Sequence, residues 1–309
     1  MDIIFLAPVF KQMIWGGDRL RTVFGYDIPG DDTGECWAIS AHPNGDGTVK
    51  NGEYAGTKLS ELWRDHRELF GNIEGDVFPL LTKIIDAKAD LSIQVHPNDT
   101  YAKEHENGSL GKMECWYVLD CDENATIIVG HNAVTKEELK QMIAEGRWKE
   151  LIREIPIKKG DFFQINPGTV HAIKAGTLIL ETQQNSDITY RLYDYDRLSN
   201  GKKRELHIDK SIDVIEVPYK VAKSEGAATA TGNGWLSELI HCQYYTVWKG
   251  DVKGKTLLKQ DQPFMLVSVI EGSGTIDGEV IKKGDHFILP YGYGEALFEG
   301  ELSVICSTV

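Results

Sequence analysis

A mainly β protein with inserted helices, built from two copies of one β unit, is the fold class predicted by this 309-residue sequence. Three observations carry that reading. Short β-branched and aromatic runs alternate with Gly, Asn and Asp turns: DLSIQVH, CWYVLD, ATIIVG, DFFQIN, GTLILETQ, PFMLVSVIEG, EVIKKGDHFIL and LSVICS. Strands this short and this frequent favour a sandwich or barrel over a doubly wound sheet. Second, KKGDFFQINPGTVHAI at 158–173 aligns without gaps on KKGDHFILPYGYGEAL at 282–297, which indicates a duplicated unit. Third, helical periodicity is confined to four segments.

The first of these, residues 57–70, puts Leu59, Leu62, Trp63, Leu69 and Phe70 on one face, with Thr57 as the N-cap. Asp99 to Glu106 reads as a second helix ended by Asn107-Gly108. Residues 135–153 open with Thr135 and Glu138 in capping-box spacing, and 207–216 form a short fourth helix. From 217 to 234 the chain turns small and polar (KSEGAATATGNG) and reads as a linker. It divides an N-terminal domain, 1–232, which holds the helices, from a smaller β domain, 233–309.

Composition narrows the function classes. Hydrophobic content of 41% and charged content of 26% are those of a soluble globular protein. The start, MDIIFLAPVFK, lacks the basic residues and long apolar core of a signal peptide, and no apolar run is long enough for a membrane span. Five cysteines, an odd number without a CxxC, suit reduced thiols in a cytoplasm. A net charge of -14 argues against nucleic acid or an anionic membrane as partner. A small anionic substrate remains compatible if Lys and Arg gather locally.

The chemistry-bearing residues concentrate in the first half. In Asp90-Leu-Ser-Ile-Gln-Val-His-Pro, period two puts Ser92, Gln94 and His96 on one face. That polar row either faces solvent or lines a cavity that satisfies it. Glu114 opens the run ECWYVLD, and His171 follows the turn Asn-Pro-Gly at the start of the next strand. Each alone has a structural alternative. Together, two imidazoles and a carboxylate suit Zn²⁺ or Fe²⁺, with Gln94 as a possible fourth ligand and a position left open for catalysis. In the repeat, His171 aligns with Glu295, so the site exists once. His42, His66, His105, His131, His207, His241 and His286 fall in helices, turns or the other copy, and Glu181 is the strongest decoy. Lys83, Lys112 and Arg191 would supply local positive potential, with Asp187 nearby.

The Gly-Asp…Pro-Gly-x-x-His pattern at 160–171 resembles a cupin motif. Leu-Ser-Ile-Gln-Val-His-Pro-Asn-Asp at 91–99 is more specific and resembles the signature of the type I phosphomannose isomerase family. Lys112-Met-Glu114, Asn-Pro-Gly-Thr-Val-His171 and Gln-Asn-Ser-Asp-Ile-Thr-Tyr-Arg191 are similar to further motifs of that family, in its order. Trp15-Gly16-Gly17 and Gly34-Glu35-Cys-Trp37 resemble its opening motifs, although Glu35-Cys-Trp-Ala departs from the commoner form. The resemblance implies two cupin-like β-barrels or jelly rolls, with a metal only in the first. It implies one zinc ion per chain on Gln94, His96, Glu114 and His171. Trp15, Ser92, Lys83, Lys112 and Arg191 would then line a hexose 6-phosphate pocket. The implied reaction interconverts mannose 6-phosphate and fructose 6-phosphate through a cis-enediol, with Arg191 stabilising negative charge and either Lys83 or Asp187 moving the proton. A cupin Fe²⁺ oxygenase and a non-catalytic sugar-phosphate binder are the alternatives.

Overall fold

The computed structural model describes residues 2–199, 201–222, 226–227 and 235–309. Its first strands are β1 (Ile4–Ala7), β2 (Val9–Gly17), β3 (Thr33–Ile39), β4 (Thr48–Val49), β5 (Leu80–Ala87) and β6 (Ile93–Val95). Then come β7 (Glu114–Cys121), β8 (Thr126–His131), β9 (Ile152–Pro156), β10 (Asp161–Ile165), β11 (His171–Ile173), β12 (Thr177–Gln184) and β13 (Tyr190–Tyr193). A small hairpin of β14 (Leu198–Ser199) and β15 (Lys202–Lys203) precedes β16 (Gly226–Ala227). The last strands are β17 (Leu236–His241), β18 (Thr246–Gln260), β19 (Met265–Ile276), β20 (Glu279–Lys282), β21 (His286–Leu289) and β22 (Gly294–Thr308).

The strands form three main sheets. One runs β16-β10-β7-β12-β5-β2-β3, a second β13-β6-β11-β8-β9, and the third β17-β18-β22-β19-β21-β1-β4 with β20 on β19. The duplication read from the sequence is physical. Lys158 N–H donates to Asp161 Oδ2 at 2.9 Å and Lys282 N–H to Asp285 Oδ2 at 2.8 Å. Gly160 and Gly284 both sit at φ 91°, the left-handed region that glycine enters without a Cβ clash. The order β10-β7-β12-β5 is repeated as β21-β19-β22-β18. The two halves are interlocked, because β1 pairs with β21 of the second copy. The expected boundary at 232/233 lies outside the described residues, as does most of the small polar stretch.

Alternation along the strands builds the layers. Cys115, Tyr117, Leu119, Phe162, Leu178 and Leu180 pack with Leu266, Ile270, Ile288 and Ile305 of the third sheet. Their neighbours Trp116, Val118, Phe163, Ile165 and Ile179 face Ile127, Val129 and Ile173 of the second sheet. The first sheet is therefore buried on both faces, as its near-continuous apolar runs require. The outer face of the second sheet, with Ile93, Val95, Ile128 and Ala172, is covered by helical Leu139, Met142 and Ile143. Closed barrels do not form among the described residues. Closure needs the two edges of a sheet to pair, whereas β13, β9 and β16 remain edges, and β3 is paired on both sides within its own sheet, by β2 and β5. The mainly β reading holds; the strands lie in stacked sheets, as in the jelly-roll form of the expectation, and not in closed barrels.

The helices are shorter than their periodicity suggested. They are α1 (Arg19–Thr22), α2 (Leu59–Asp65), α3 (Asp99–His105), α4 (Lys136–Ala144), α5 (Trp148–Leu151) and α6 (Ile208–Val214). The carbonyl of Thr57 accepts Val49 N–H, so the cap shifts to Lys58, and a 3₁₀ turn at Arg67–Phe70 completes the buried face. Thr135 Oγ1 caps α4 from Glu138 N–H at 3.1 Å, but Glu138 bonds Val134 N–H instead of Thr135, so the capping box is half made. Gly146, at φ 66°, separates α4 from α5 within the stretch expected as one helix. The α3 helix ends at Asn107 and Gly108, both with positive φ, as expected. All five cysteines are free thiols, and no described helix is long and apolar enough to cross a membrane.

Candidate metal centre

Two cross-strand rows bring the polar residues together. In an antiparallel pair, directly opposed residues project to the same face. His171 on β11 is opposite Gln94 on β6, and Gln94 is opposite Arg191 on β13. On the first sheet Trp37, Lys83, Glu181 and Trp116 are successive partners across β3, β5, β12 and β7. Trp116 belongs to the core between the sheets, so Glu114, two residues earlier on β7, faces the same interior. His96 lies just past β6 and Lys112 just before β7. Their segments are tied by Gly168 N–H to His96 O at 2.9 Å and Lys112 N–H to Pro97 O at 3.0 Å.

His96, Glu114 and His171 converge with their ligand atoms within 4.8 Å of one another, the only such group of at least three His, Cys, Asp or Glu among the described residues. His96 Nε2 is 3.1 Å from His171 Nε2 and 3.4 Å from Glu114 Oε2, and His171 Nε2 is 3.5 Å from Glu114 Oε1. Ligands at about 2.1 Å from a tetrahedral ion are spaced by about 3.4 Å, so the separations fit one small divalent cation. His171 Nδ1 donates to Thr169 O at 2.9 Å, which turns the Nε2 lone pair toward the centre. Glu114 Oε1 is buried without a hydrogen bond, an orphan that a cation would satisfy. Gln94 adjoins the group, its amide nitrogen 3.3 Å from His171 Nε2 and its Oε1 accepting from Ser92 Oγ at 3.3 Å.

A cation already leans on these ligands. Lys112 Nζ is 2.9 Å from Glu114 Oε2 and 3.1 Å from His96 Nε2. Burial alone would raise the Glu114 carboxyl; Lys112 reverses this and holds it well below its usual range. Burial, with Lys112 assisting, pushes His96 down to about 3, and burial lowers His171 as well. Both rings are therefore neutral ligands at pH 7. Because these folded pKa values lie below the unfolded value of about 6.5, the neutral rings contribute stability that is complete above that pH and lost as pH falls toward 3. The urea midpoint of the metal-free protein is expected to fall between about pH 6.5 and about pH 4. A midpoint level across that window would contradict two buried neutral imidazoles.

Above the cluster opens a cavity of about 400 Å³, with Gln94 and Lys112 in its lining. Trp15, Ser92, Lys83, Asp187 and Arg191 also line it. Asp187 is exposed, in the otherwise buried or half-buried loop before β13. His42 Nε2 at 3.4 Å and the Asn44 amide at 2.5 Å hold its carboxylate well below the usual range, so it is a weak proton acceptor. Lys83 sits between Glu181 Oε1 at 3.5 Å and Glu35 Oε2 at 3.8 Å. Burial, reinforced by Glu114, raises the Glu181 carboxyl, while Trp116 Nε1 donates to its Oε2 at 2.9 Å. Glu181, treated as a decoy in the sequence, is thus a cavity residue that stands outside the three-residue ligand group. Glu35, Trp37 and Arg204 were likewise missed as lining residues. The register of β12 on β5 is what unites Glu181 with Lys83, and spacing along one strand carries no such signal. His286, by contrast, is satisfied in the second copy, by Tyr26 at 2.7 Å and Ser268 at 2.9 Å.

Residues 3–124 match the family described as phosphomannose isomerase type I, catalytic domain, and residues 237–309 match mannose-6-phosphate isomerase, cupin domain. A mannose-6-phosphate isomerase of Bacillus subtilis (strain 168) is 57% identical over 98% of this chain and 98% of its own. The chain belongs to the type I phosphomannose isomerase family. A mannose-6-phosphate isomerase of Streptococcus mutans is 52% identical over 98% of this chain and 97% of its own. The crystal structure of a mannose 6-phosphate isomerase from Bacillus subtilis superposes with a TM-score of 0.96 at 51% identity, covering 100% of both chains. This type I phosphomannose isomerase fold places the histidine–glutamate cluster between the first and second sheets.

Proposed function

We propose that the protein interconverts mannose 6-phosphate and fructose 6-phosphate at one zinc ion held by His96, Glu114 and His171, with Gln94 as fourth ligand. The convergence of those three buried ligands beneath a cavity rich in Lys and Arg is the observation that carries the reading. Two imidazoles, a carboxylate and an amide suit Zn²⁺. When bound, the ion supplies Lewis acidity toward the sugar carbonyl and hydroxyl oxygens.

The chain's own groups account for the remaining steps. The aldehyde at C1 acidifies the C2–H bond. Glu181, whose carboxyl is raised toward the working pH and lines the cavity, is the group suited to take the C2 proton and return it to C1. The enediolate between these transfers carries negative charge, and the O2 proton passes to O1 so that a ketone is left at C2 and a hydroxyl at C1. Arg191, opposite Gln94 in the sheet, faces that charge with a guanidinium that no described carboxylate pairs. The Lys112 and Lys83 ammoniums add positive potential around the intermediate, and Trp15 and Ser92 shape the sugar site. Five free thiols favour a reducing compartment such as the cytoplasm, and the charge of -14 disfavours nucleic acid as partner.

A coupled assay that detects fructose 6-phosphate formed from mannose 6-phosphate tests the reading directly. Sustained turnover without oxygen uptake is the expected result. Oxygen consumption would instead support the Fe²⁺ oxygenase alternative, and saturable binding without turnover the non-catalytic one.

A further inference from the structure

The cavity has a second arginine. Arg204 lines it together with Arg191, on the short segment between β15 and α6. Its guanidinium is held edge-on by Asp194, with Nε to Oδ2 at 2.8 Å and Nη2 to Oδ1 at 2.6 Å. Asp194 is buried, its side chain 4% exposed, and Arg197 Nη2 also donates to its Oδ1, at 2.5 Å. One carboxylate thus serves two guanidiniums. Arg204 Nη1 is left without a hydrogen bond among the described residues. Arg191 Nη1 reaches only a backbone oxygen, that of Glu205 at 2.9 Å, and its Nε is buried without a partner. The Glu205 side chain itself is exposed.

Arg191 and Arg204 line this part of the cavity, and the one buried carboxylate behind them, Asp194, is shared with Arg197, so the lining keeps surplus positive charge. Like charges are not gathered in a half-buried place without cost, and a bound anion offsets it. A phosphate monoester carries about −1.5 to −2 charge at pH 7 and three acceptor oxygens. The Arg fork recognises such oxygens through paired N–H bonds. The lining carboxylates Glu35 and Glu181 lie on β3 and β12 of the first sheet, not on the β13 side, and would repel a phosphate there, while Asp187 is held by His42 and Asn44.

We propose that Arg204, oriented by Asp194, is the residue that reads the substrate's phosphate, while the neighbouring Arg191 remains turned to the enediolate. Asp194 is a positioning residue: it makes no claim on the substrate but fixes which edge of Arg204 is free. This rests on the hexose 6-phosphate reading above, in that it assigns the phosphate end of the same cavity.

The test compares wild type, Arg204→Gln, Arg204→Lys and Asp194→Asn in the metal-loaded protein. Steady-state kinetics with mannose 6-phosphate are set beside calorimetric titration with inorganic phosphate. Losing a charge-assisted bond should raise KM by about 10- to 100-fold in Arg204→Gln, with kcat changed less than about 3-fold. Phosphate affinity should fall by a similar factor. Arg204→Lys keeps the charge without the fork and should recover part of both losses. Asp194→Asn should raise KM while leaving metal content at the wild-type level. An unchanged KM and phosphate affinity in folded, metal-loaded Arg204→Gln would overturn the assignment, as would a fall in kcat alone. If wild type fails to turn over mannose 6-phosphate but phosphate binding still depends on Arg204, the isomerase reading fails while the anion site stands.

Discussion

Replacing His171 by alanine is expected to lower kcat/KM for mannose 6-phosphate by about 10³-fold or more. A bound divalent ion contributes several kcal/mol to stabilising an oxyanion, and each 1.4 kcal/mol is about a factor of ten in rate. His171 is fully buried, and its Nδ1 is fixed by Thr169 O, so no neighbouring side chain can substitute for the lost Nε2. The alanine variant should therefore retain little metal. His171→Gln fills most of the same volume and separates the loss of a ligand from the loss of packing. Metal content, circular dichroism and kinetics on the two variants check this together. Wild-type turnover in either variant at normal fold content would remove His171 from the centre.

The second large effect is expected at Glu181. Glu181→Gln keeps the shape and the Trp116 Nε1 bond through its amide oxygen, yet removes the proton acceptor. General acid–base groups contribute about 10²- to 10⁴-fold, and the loss should fall on kcat, because substrate binding does not use the proton. Metal content should be unchanged, since Glu181 stands outside the ligand group. Stability should hold or rise, because a buried carboxyl whose ionisation is disfavoured by burial and by Glu114 has been made neutral. Exchange of solvent deuterium into the product at its C1 should be lost in step with kcat. Undiminished exchange would return the proton transfer to Lys83.

Much of this was legible in the sequence, for identifiable reasons. The Lys-Lys-Gly-Asp turns at 158–161 and 282–285 were visible as a repeat because the turn needs a glycine at positive φ and an aspartate to accept the lysine N–H. Period two placed Ser92, Gln94 and His96 together because the strand is short and its other face is apolar. Closure of the sheets was not legible, since a strand's own pattern says which faces are buried but not whether its edge finds a partner. Helix ends slipped for a similar reason: Thr57 is a good cap by residue type, yet its carbonyl is occupied by Val49. Glu181 was set aside because its significance lies in register, opposite Lys83 and Trp116, and no spacing within LILETQ shows that. Asp187 looked like a proton carrier beside Arg191 until His42 and Asn44, about 140 residues earlier, were seen to hold it ionised. Arg204 follows Lys202 and Lys203, and nothing in that basic run marks which of the three reaches the cavity.

Removal and return of the metal tests the central claim most directly. The protein is dialysed against a chelator, its metal content measured, and zinc titrated back while fructose 6-phosphate formation is followed. Turnover should vanish with the metal and return linearly, reaching its plateau at one zinc per chain. Full turnover in metal-free protein would contradict the account.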